Sequence, residues 1–173
     1  TYEGQAAVEL EALSEQARRR SEPPAPTLFL PVSDDLVIDP APLVRGCVAA
    51  MLEGATAGAV GLAFHQALAV AILDAARQVR RHHGVDVVGL TGGVFQNALL
   101  SDLAQASLKR DGFTVLVHET VPANDGEPVY LIRKDVLEAT PSGDEVPCHT
   151  FALAPEMNHY YAQYDDGDGG VVL

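Results

Sequence analysis

The sequence is poor in positive charge and in cysteine. Of its 173 residues, 11 are Lys or Arg and 24 are Asp or Glu, which gives a formal net charge of −13. A surface that binds nucleic acid needs clustered Lys and Arg, so this balance argues against a nucleic-acid partner. The two cysteines, Cys47 and Cys148, have no partners at zinc-ligand spacing and form no disulfide framework. Cys47 stands in an apolar helical stretch, where we expect a buried thiol.

The sequence also lacks a signal peptide and an uninterrupted run of membrane length. Its most apolar stretch, AVGLAFHQALAVAIL, contains His65 and Gln66 and is typical of a buried helix. We therefore expect no membrane partner and a cytoplasmic location.

Helical spacing predicts three helices before the first strand. The first runs through TYEGQAAVELEALSEQARRR, with Thr1 as a candidate cap. The second begins at Asp39 and ends near Gly54. The third is capped by Thr56 and ends at Gly84. Because the chain opens without Met on a helical pattern, we expect it to be a piece of a longer protein.

A strand–helix–strand unit follows the three helices and predicts an α/β fold. An apolar strand is expected over Val85–Leu90, a helix over Phe95–Arg110 and a second strand in FTVLVHE. Such a unit implies parallel pairing through a right-handed crossover. Beyond it only VYLI suggests a short strand. Between Glu119 and Leu173 there are eleven acidic residues and two basic ones. Because of this acidic excess, we expect poor order over residues 127–173.

The segment LTGGVFQN joins the first strand to its helix and allows two interpretations. The pair Gly92 and Gly93 could serve only the backbone, because glycine alone takes a positive φ cheaply. Alternatively, backbone N–H groups at the start of a helix could bind phosphate. No Lys-Ser/Thr follows, as in a Walker motif, and the third glycine of a dinucleotide fingerprint is missing. The spacing alone leaves both interpretations open.

Five blocks in order carry a resemblance to a known family. They are TYEGQAAVELEAL, DPAPLVRGCVAAML, the helix containing AFHQALA, LTGGVFQNALLSDL and VPANDG. Together they resemble the C-terminal part of the HypF carbamoyltransferases of hydrogenase maturation. The resemblance implies that residues 1–126 form the second lobe of a TsaD-like domain with the actin-like ATPase fold, and it leaves 127–173 as an acidic extension of unknown origin.

The resemblance also implies an activity and partners. In such enzymes a YrdC-like domain makes carbamoyl-adenylate from carbamoyl phosphate and ATP, and the TsaD-like domain transfers the carbamoyl group. The acceptor is the C-terminal cysteine thiol of HypE, and the product leads to the cyanide ligands of [NiFe]-hydrogenase. Zinc-finger and acylphosphatase domains complete the longer protein.

Site residues follow from the resemblance position by position. It implies that Gly92, Gly93 and Asn97 lie against the phosphate of the nucleotide, that Glu3 and Gly4 lie near the nucleoside, and that Asp125 binds a divalent metal, iron or zinc. His65 also fits the family pattern, but a histidine on a helix face is expected to be a packed or hydrogen-bonded core residue.

Two departures from the family pattern keep alternatives open. The family's metal site also uses two histidines in a segment resembling HDLHP, which is missing from this sequence, so further ligands must lie outside the chain. After VPANDG the sequence continues as EPVYLIRKD instead of a glycine-rich helix start. We therefore expect the chain alone to be inactive. The alternatives are an O-carbamoyltransferase of secondary metabolism and a catalytically silent nucleotide-binding or interaction module.

Overall fold

The computed structural model describes residues 4–23, 27–117, 129–132, 145–147, 149–151 and 170–172, with side chains described as far as residue 117. Its helices are α1 (Gln5–Arg20), α2 (Ala41–Leu52), α3 (Ala57–His83) and α4 (Ala98–Arg110), and a 3-10 turn covers Gly93–Gln96. Its strands are β1 (Val87–Leu90), β2 (Thr114–Val117), β3 (Val129–Ile132), β4 (Glu145–Pro147), β5 (His149–Phe151) and β6 (Gly170–Val172). Two compact units are formed, residues 1–72 with 97–104 and residues 73–96 with 105–173.

The boundaries of α2 and α3 follow the capping signals of the sequence. Asp39 Oδ1 accepts the N–H of Ala41 at 2.9 Å at the start of α2. Thr56 Oγ1 accepts the N–H of Ala59 at 3.1 Å at the start of α3. Gly84, with φ +67°, ends α3 in the left-handed conformation that favours glycine. The predicted start and end of α3 are confirmed, and α2 begins at Ala41, two residues after the predicted start at Asp39.

Helix α1 begins later than the sequence pattern predicts. Gly4, with φ +77°, precedes its first residue, and no side chain caps the helix. Thr1, the candidate cap, lies outside the described residues. The left-handed backbone at Gly4 therefore determines where the helix starts.

Two glycines of α3 allow α1 to pack closely against it. A Cβ atom on Gly58 would lie 2.8 Å from the Leu13 carbonyl oxygen, and one on Gly61 would collide with the Ser14 hydroxyl. Ser14 is fully buried and donates its hydroxyl to the Leu10 carbonyl at 2.6 Å. Both glycines lie inside a regular helix, so close packing, not a turn, requires them here.

The apolar cluster of the first unit is formed by α2, α3 and the extended segment before α2. Its buried members are Leu28, Leu30, Leu43, Ala63, Ala67 and Ala71. Cys47 is partly buried against this cluster, and burial raises the pKa of its thiol. Cys47 thus packs against the core as predicted but is only partly buried, and Cys148 lies outside the described residues.

Helix α3 is long and apolar enough to cross a membrane, judged by length and composition alone. His65 and Gln66 interrupt the apolar run in the sequence, as predicted, but they do not interrupt the helix. Within the most apolar part of α3, 61% is buried inside the protein. Burial of this extent is what the core helix of a folded domain shows, and the interpretation of α3 as a buried helix holds.

A mixed sheet with the strand order β2-β1-β3-β5 lies in the second unit. β1 and β2 are parallel, with Val87 opposite Thr114 and Leu90 opposite Val117, so the predicted strand–helix–strand unit is confirmed. β3 coincides with VYLI and pairs antiparallel with β1. β5 pairs antiparallel with β3, and β4 pairs with β6 in a separate ladder. The sequence pattern gave no signal for β4, β5 or β6.

Two arginines near the end of α3 hold the turn between α4 and β2. Arg77 Nη2 donates to Asp111 Oδ1 at 2.5 Å, and Arg80 pairs with the other carboxylate oxygen. The Arg80 guanidinium also lies 3.8 Å from the centre of the Phe113 ring. Hydrogen bonds from Arg77, and then from Arg80, lower the pKa of Asp111, so its carboxylate stays ionised when these contacts form.

The contact between α1 and α3 yields the first prediction. Gly58→Ala is expected to lower the free energy of unfolding by about 1–3 kcal/mol, because the Leu13 carbonyl belongs to a helix backbone and cannot rotate away. Gly46→Ala in α2 is the matched control, since its Cβ would meet only a Leu28 methyl at 2.9 Å. Both changes raise helix propensity by about 1 kcal/mol. Urea unfolding measures the difference, and equal effects of the two variants would show that α1 does not need the glycine.

Candidate functional site

The glycine turn, Thr91–Val94, follows β1 directly. Gly92 is buried and has φ +98°, and its carbonyl accepts the N–H of Phe95 at 2.9 Å. This backbone conformation requires glycine at Gly92, as the simpler interpretation of the sequence predicts. Gly93 opens the 3-10 turn and has no positive φ. A positive φ therefore explains why residue 92 is glycine, but it does not explain why residue 93 is glycine.

Helix α4 begins three residues later than predicted, at Ala98 instead of Phe95. The 3-10 turn occupies the interval, and Asn97 caps the helix. Its Oδ1 accepts the N–H of Leu100 at 2.8 Å, which is the usual geometry of an asparagine N-cap. The delay arises because the asparagine side chain offers α4 a better start than Phe95 can.

A carboxylate from α1 also lies at the start of α4. Glu11 Oε1 accepts the N–H of Ala98 at 2.8 Å and, at a longer 3.4 Å, the N–H of Leu99. Together with Asn97, this carboxylate provides an oxygen for each of the first three N–H groups of the helix. In this structure the protein's own side chains therefore satisfy these groups, and a phosphate contact near this helix N-terminus stays a prediction.

His65 on α3 fixes the orientation of Asn97. Its Nδ1 lies 2.7 Å from the Gly61 carbonyl oxygen, and its Nε2 lies 2.9 Å from Asn97 Nδ2. A carbonyl can only accept, so Nδ1 carries the proton and Nε2 accepts from the Asn97 amide. His65 is 2% exposed. Both ring nitrogens are thus satisfied inside the protein, and the predicted role of His65 as a hydrogen-bonded core residue is confirmed.

The remaining predicted site residues are only partly described. Gly4 is exposed at the start of α1, the helix that also carries Glu11. Glu3 and Asp125 lie outside the described residues. Within the described ranges, His, Cys, Asp and Glu form no group of three or more that could hold a metal ion. Gly92 and Gly93 follow β1, and Asn97 immediately precedes α4. Their contact with a nucleotide stays a prediction.

Sequence reasoning missed Glu11. It lies 87 residues before Ala98, in a helix that also carries Glu9 and Glu15. No local motif marks a side chain that caps another helix at such separation. The link between His65 and Asn97 spans 32 residues and was missed for the same reason.

Comparison with known proteins identifies a matching family. The model of the family described as "Carbamoyltransferase, Kae1-like Domain, second subdomain" matches residues 1–127. The chain is 37% identical over 129 residues to a carbamoyltransferase HypF homolog of Cupriavidus necator. It is 35% identical over 126 residues to carbamoyltransferase HypF of Rhodobacter capsulatus. These alignments cover 71% and 73% of this chain, and 32% and 15% of the two relatives.

Solved structures give the same result. A crystal structure of full-length HypF in its phosphate- and nucleotide-bound form matches with a TM-score of 0.62 and 32% identity, covering 72% of this chain. HypF of T. kodakarensis matches with a TM-score of 0.59 and 26% identity, again over 72% of this chain. The chain spans 16% and 15% of the lengths of those two proteins. The chain is therefore part of a Kae1-like domain, and its helices and strands agree with the α/β fold predicted from the sequence.

The His65–Asn97 link yields the second prediction. Asn97→Ser keeps a cap oxygen for α4 but is too short to reach His65, so it leaves a buried ring nitrogen without a donor. We expect a loss of about 1–3 kcal/mol in unfolding free energy for that unsatisfied group. Asn97→Ala also removes the cap and is expected to cost about 1 kcal/mol more.

A double-mutant cycle separates the link from the cap. His65→Phe keeps the ring volume and removes both ring nitrogens. Combined with Asn97→Ser in urea unfolding, it is expected to show a coupling energy of about 0.5–3 kcal/mol. Strictly additive losses would contradict a direct link between the two side chains.

Proposed function

This chain belongs to the HypF carbamoyltransferase family, as the second subdomain of its Kae1-like domain, and from this membership we propose that it acts within a longer enzyme. That enzyme transfers a carbamoyl group from carbamoyl-adenylate to the C-terminal cysteine thiol of a HypE-like protein, on the route to the cyanide ligands of [NiFe]-hydrogenase. The relatives named above carry the name HypF, which supports a protein thiol over the small-molecule hydroxyl of O-carbamoyltransferases.

The observation that carries this proposal is that residue 93 is glycine although its backbone conformation does not require one. No positive φ requires it, so a close backbone approach by a ligand is the reason we favour. Gly93 and Val94 are the first residues of the 3-10 turn, and such a turn makes no internal use of its first N–H groups. Two adjacent N–H groups without an intervening Cβ suit a phosphate oxygen, the group that an adenylate presents.

Asn97 is the second residue proposed to contact the nucleotide. Its amide NH₂ donates one hydrogen to His65 Nε2, and its oxygen accepts the N–H of Leu100. An amide NH₂ has two hydrogens, so one remains for a ligand. Because His65 and α4 hold the amide from two sides, Asn97 offers this hydrogen in a fixed orientation. Preorganised donors of this kind lose little entropy when a ligand binds.

Carbamoyl-adenylate supplies the activated carbamoyl group, and this chain's residues bind and orient it. In the proposal, the glycine turn neutralises phosphate charge on a protein of net charge −13, Glu3 and Gly4 lie near the nucleoside, and Asp125 is one ligand of a divalent iron or zinc whose other ligands lie outside this chain. We propose a cytoplasmic enzyme in which YrdC-like, zinc-finger and acylphosphatase domains accompany this subdomain. The chain alone is expected to be inactive.

The proposed phosphate contact is tested by substituting two glycines that have similar backbone φ angles. Gly92 has φ +98° and Gly112, in the turn between α4 and β2, has φ +88°. Alanine at either position is strained to a similar extent. In the enzyme that carries both subdomains, Gly92→Ala is expected to weaken AMP binding about 10-fold to 100-fold, because it disturbs charge-assisted hydrogen bonds of about 1.5–3 kcal/mol each. Gly112→Ala is expected to leave AMP affinity unchanged.

Calorimetric titration with AMP measures the affinity, and a melting curve of each variant measures the strain. If Gly92→Ala unfolds the protein, Gly93→Ala replaces it, because Gly93 requires no positive φ. If the parent and the glycine-turn variant bind AMP with equal affinity, the turn only connects β1 to α4 and does not contact phosphate.

A further inference from the structure

Helix α2 is apolar on nearly its whole circumference. Its sequence, APLVRGCVAAML, contains a single charged residue, Arg45. The buried side of the helix includes Leu43 and Ala50, which are 3% and 1% exposed. A helix that is apolar all round is normally buried all round. The composition of α2 therefore indicates a contact on its other side as well.

Four large apolar side chains of α2 lie in solvent. Val44, Val48, Met51 and Leu52 are 56%, 54%, 58% and 84% exposed. They are spaced i, i+4, i+7 and i+8, which places them along one side of a helix. We call these four residues the outer face of α2. A contiguous apolar stripe differs from single exposed hydrophobic residues, which need no explanation.

From this geometry we infer that the outer face of α2 docks against the first subdomain of the same Kae1-like domain. The inference rests on the proposed function, in which the chain acts within a longer enzyme. The matching family model is that of a second subdomain, and the chain spans 16% of the full-length HypF structure. Most of such a protein is therefore available to cover the face.

The chemistry of the face favours a partner within the same domain. Interfaces between separate domains are comparatively polar, whereas the parts of one domain share a hydrophobic core. The outer face consists of aliphatic and thioether side chains. The segment before α2, which meets Gly46 through Leu28, also exposes Phe29 and Val37 at 64% and 63%. This unit therefore exposes several large apolar side chains of the kind that a hydrophobic core normally buries.

The size of the face argues against a second copy of the chain as its occupant. Stable association of separate proteins buries about 800 Å² on each partner. Four side chains on three turns of helix are a small patch by that standard. A subdomain on the same polypeptide needs no such area, because the covalent connection supplies a high effective concentration.

The test compares two equally exposed valines on different helices. Val48 on α2 and Val70 on α3 are 54% and 51% exposed. Each is changed to Glu in the polypeptide that carries both subdomains, and hydrogen exchange of the α2 backbone amides is measured. Val48→Glu is expected to speed their exchange at least about tenfold, since it puts a carboxylate into an apolar contact. Val70→Glu is expected to leave it unchanged.

Other outcomes overturn the inference. Equal α2 exchange in the two variants would show that the outer face stays in solvent. A parent that sediments as a dimer, and becomes a monomer with Val48→Glu, would identify a second copy as the occupant. If Val48→Glu fails to fold, Val48→Ala replaces it and is expected to give a smaller, severalfold acceleration of exchange. Unchanged exchange in Val48→Ala would contradict docking. Carbamoyl transfer by the parent is assayed separately, so its absence would reject the proposed function and leave the exchange result valid.

Discussion

The start of α4 is neutralised from within the protein, and the account of the site depends on this constraint. Glu11 and Asn97 provide oxygens to its first three N–H groups. A helix N-terminus with free N–H groups attracts anions, but here a carboxylate is already present. A phosphate at the same groups would have to displace Glu11. In the proposed function, an incoming phosphate meets the N–H groups of Gly93 and Val94 instead.

Helix α3 supplies the contacts that keep this arrangement in place. Gly58 and Gly61 let α1, which carries Glu11, pack closely. His65, one turn after Gly61, accepts from Asn97 and donates to the Gly61 carbonyl. The two glycines that allow close packing and the buried histidine that orients the Asn97 amide therefore lie within eight residues of α3. This explains why a helix apolar enough to resemble a membrane span contains a histidine at 2% exposure.

Local signals in the sequence predicted much of the fold. The caps at Asp39 and Thr56 and the stop at Gly84 involve neighbours in the chain, and the parallel β1–β2 pairing follows from a strand–helix–strand pattern. Contacts between distant residues left no such signal. Glu11 reaches Ala98 across 87 residues, and this contact decides whether the helix can accept an anion. The sequence therefore located the glycine turn, but it did not predict that side chains of the protein satisfy the N–H groups at the start of α4.

The most direct test of the account is the location of the amides that respond to a nucleotide. In the ¹⁵N-labelled enzyme carrying both subdomains, AMP is titrated and backbone amide shifts are followed. The account predicts large shifts at Gly92, Gly93 and Val94, with the amide of Ala98 nearly unchanged because Glu11 stays bound to it. Large shifts at Ala98 and Leu99, with the glycine turn unaffected, would contradict it and place the phosphate at the start of α4.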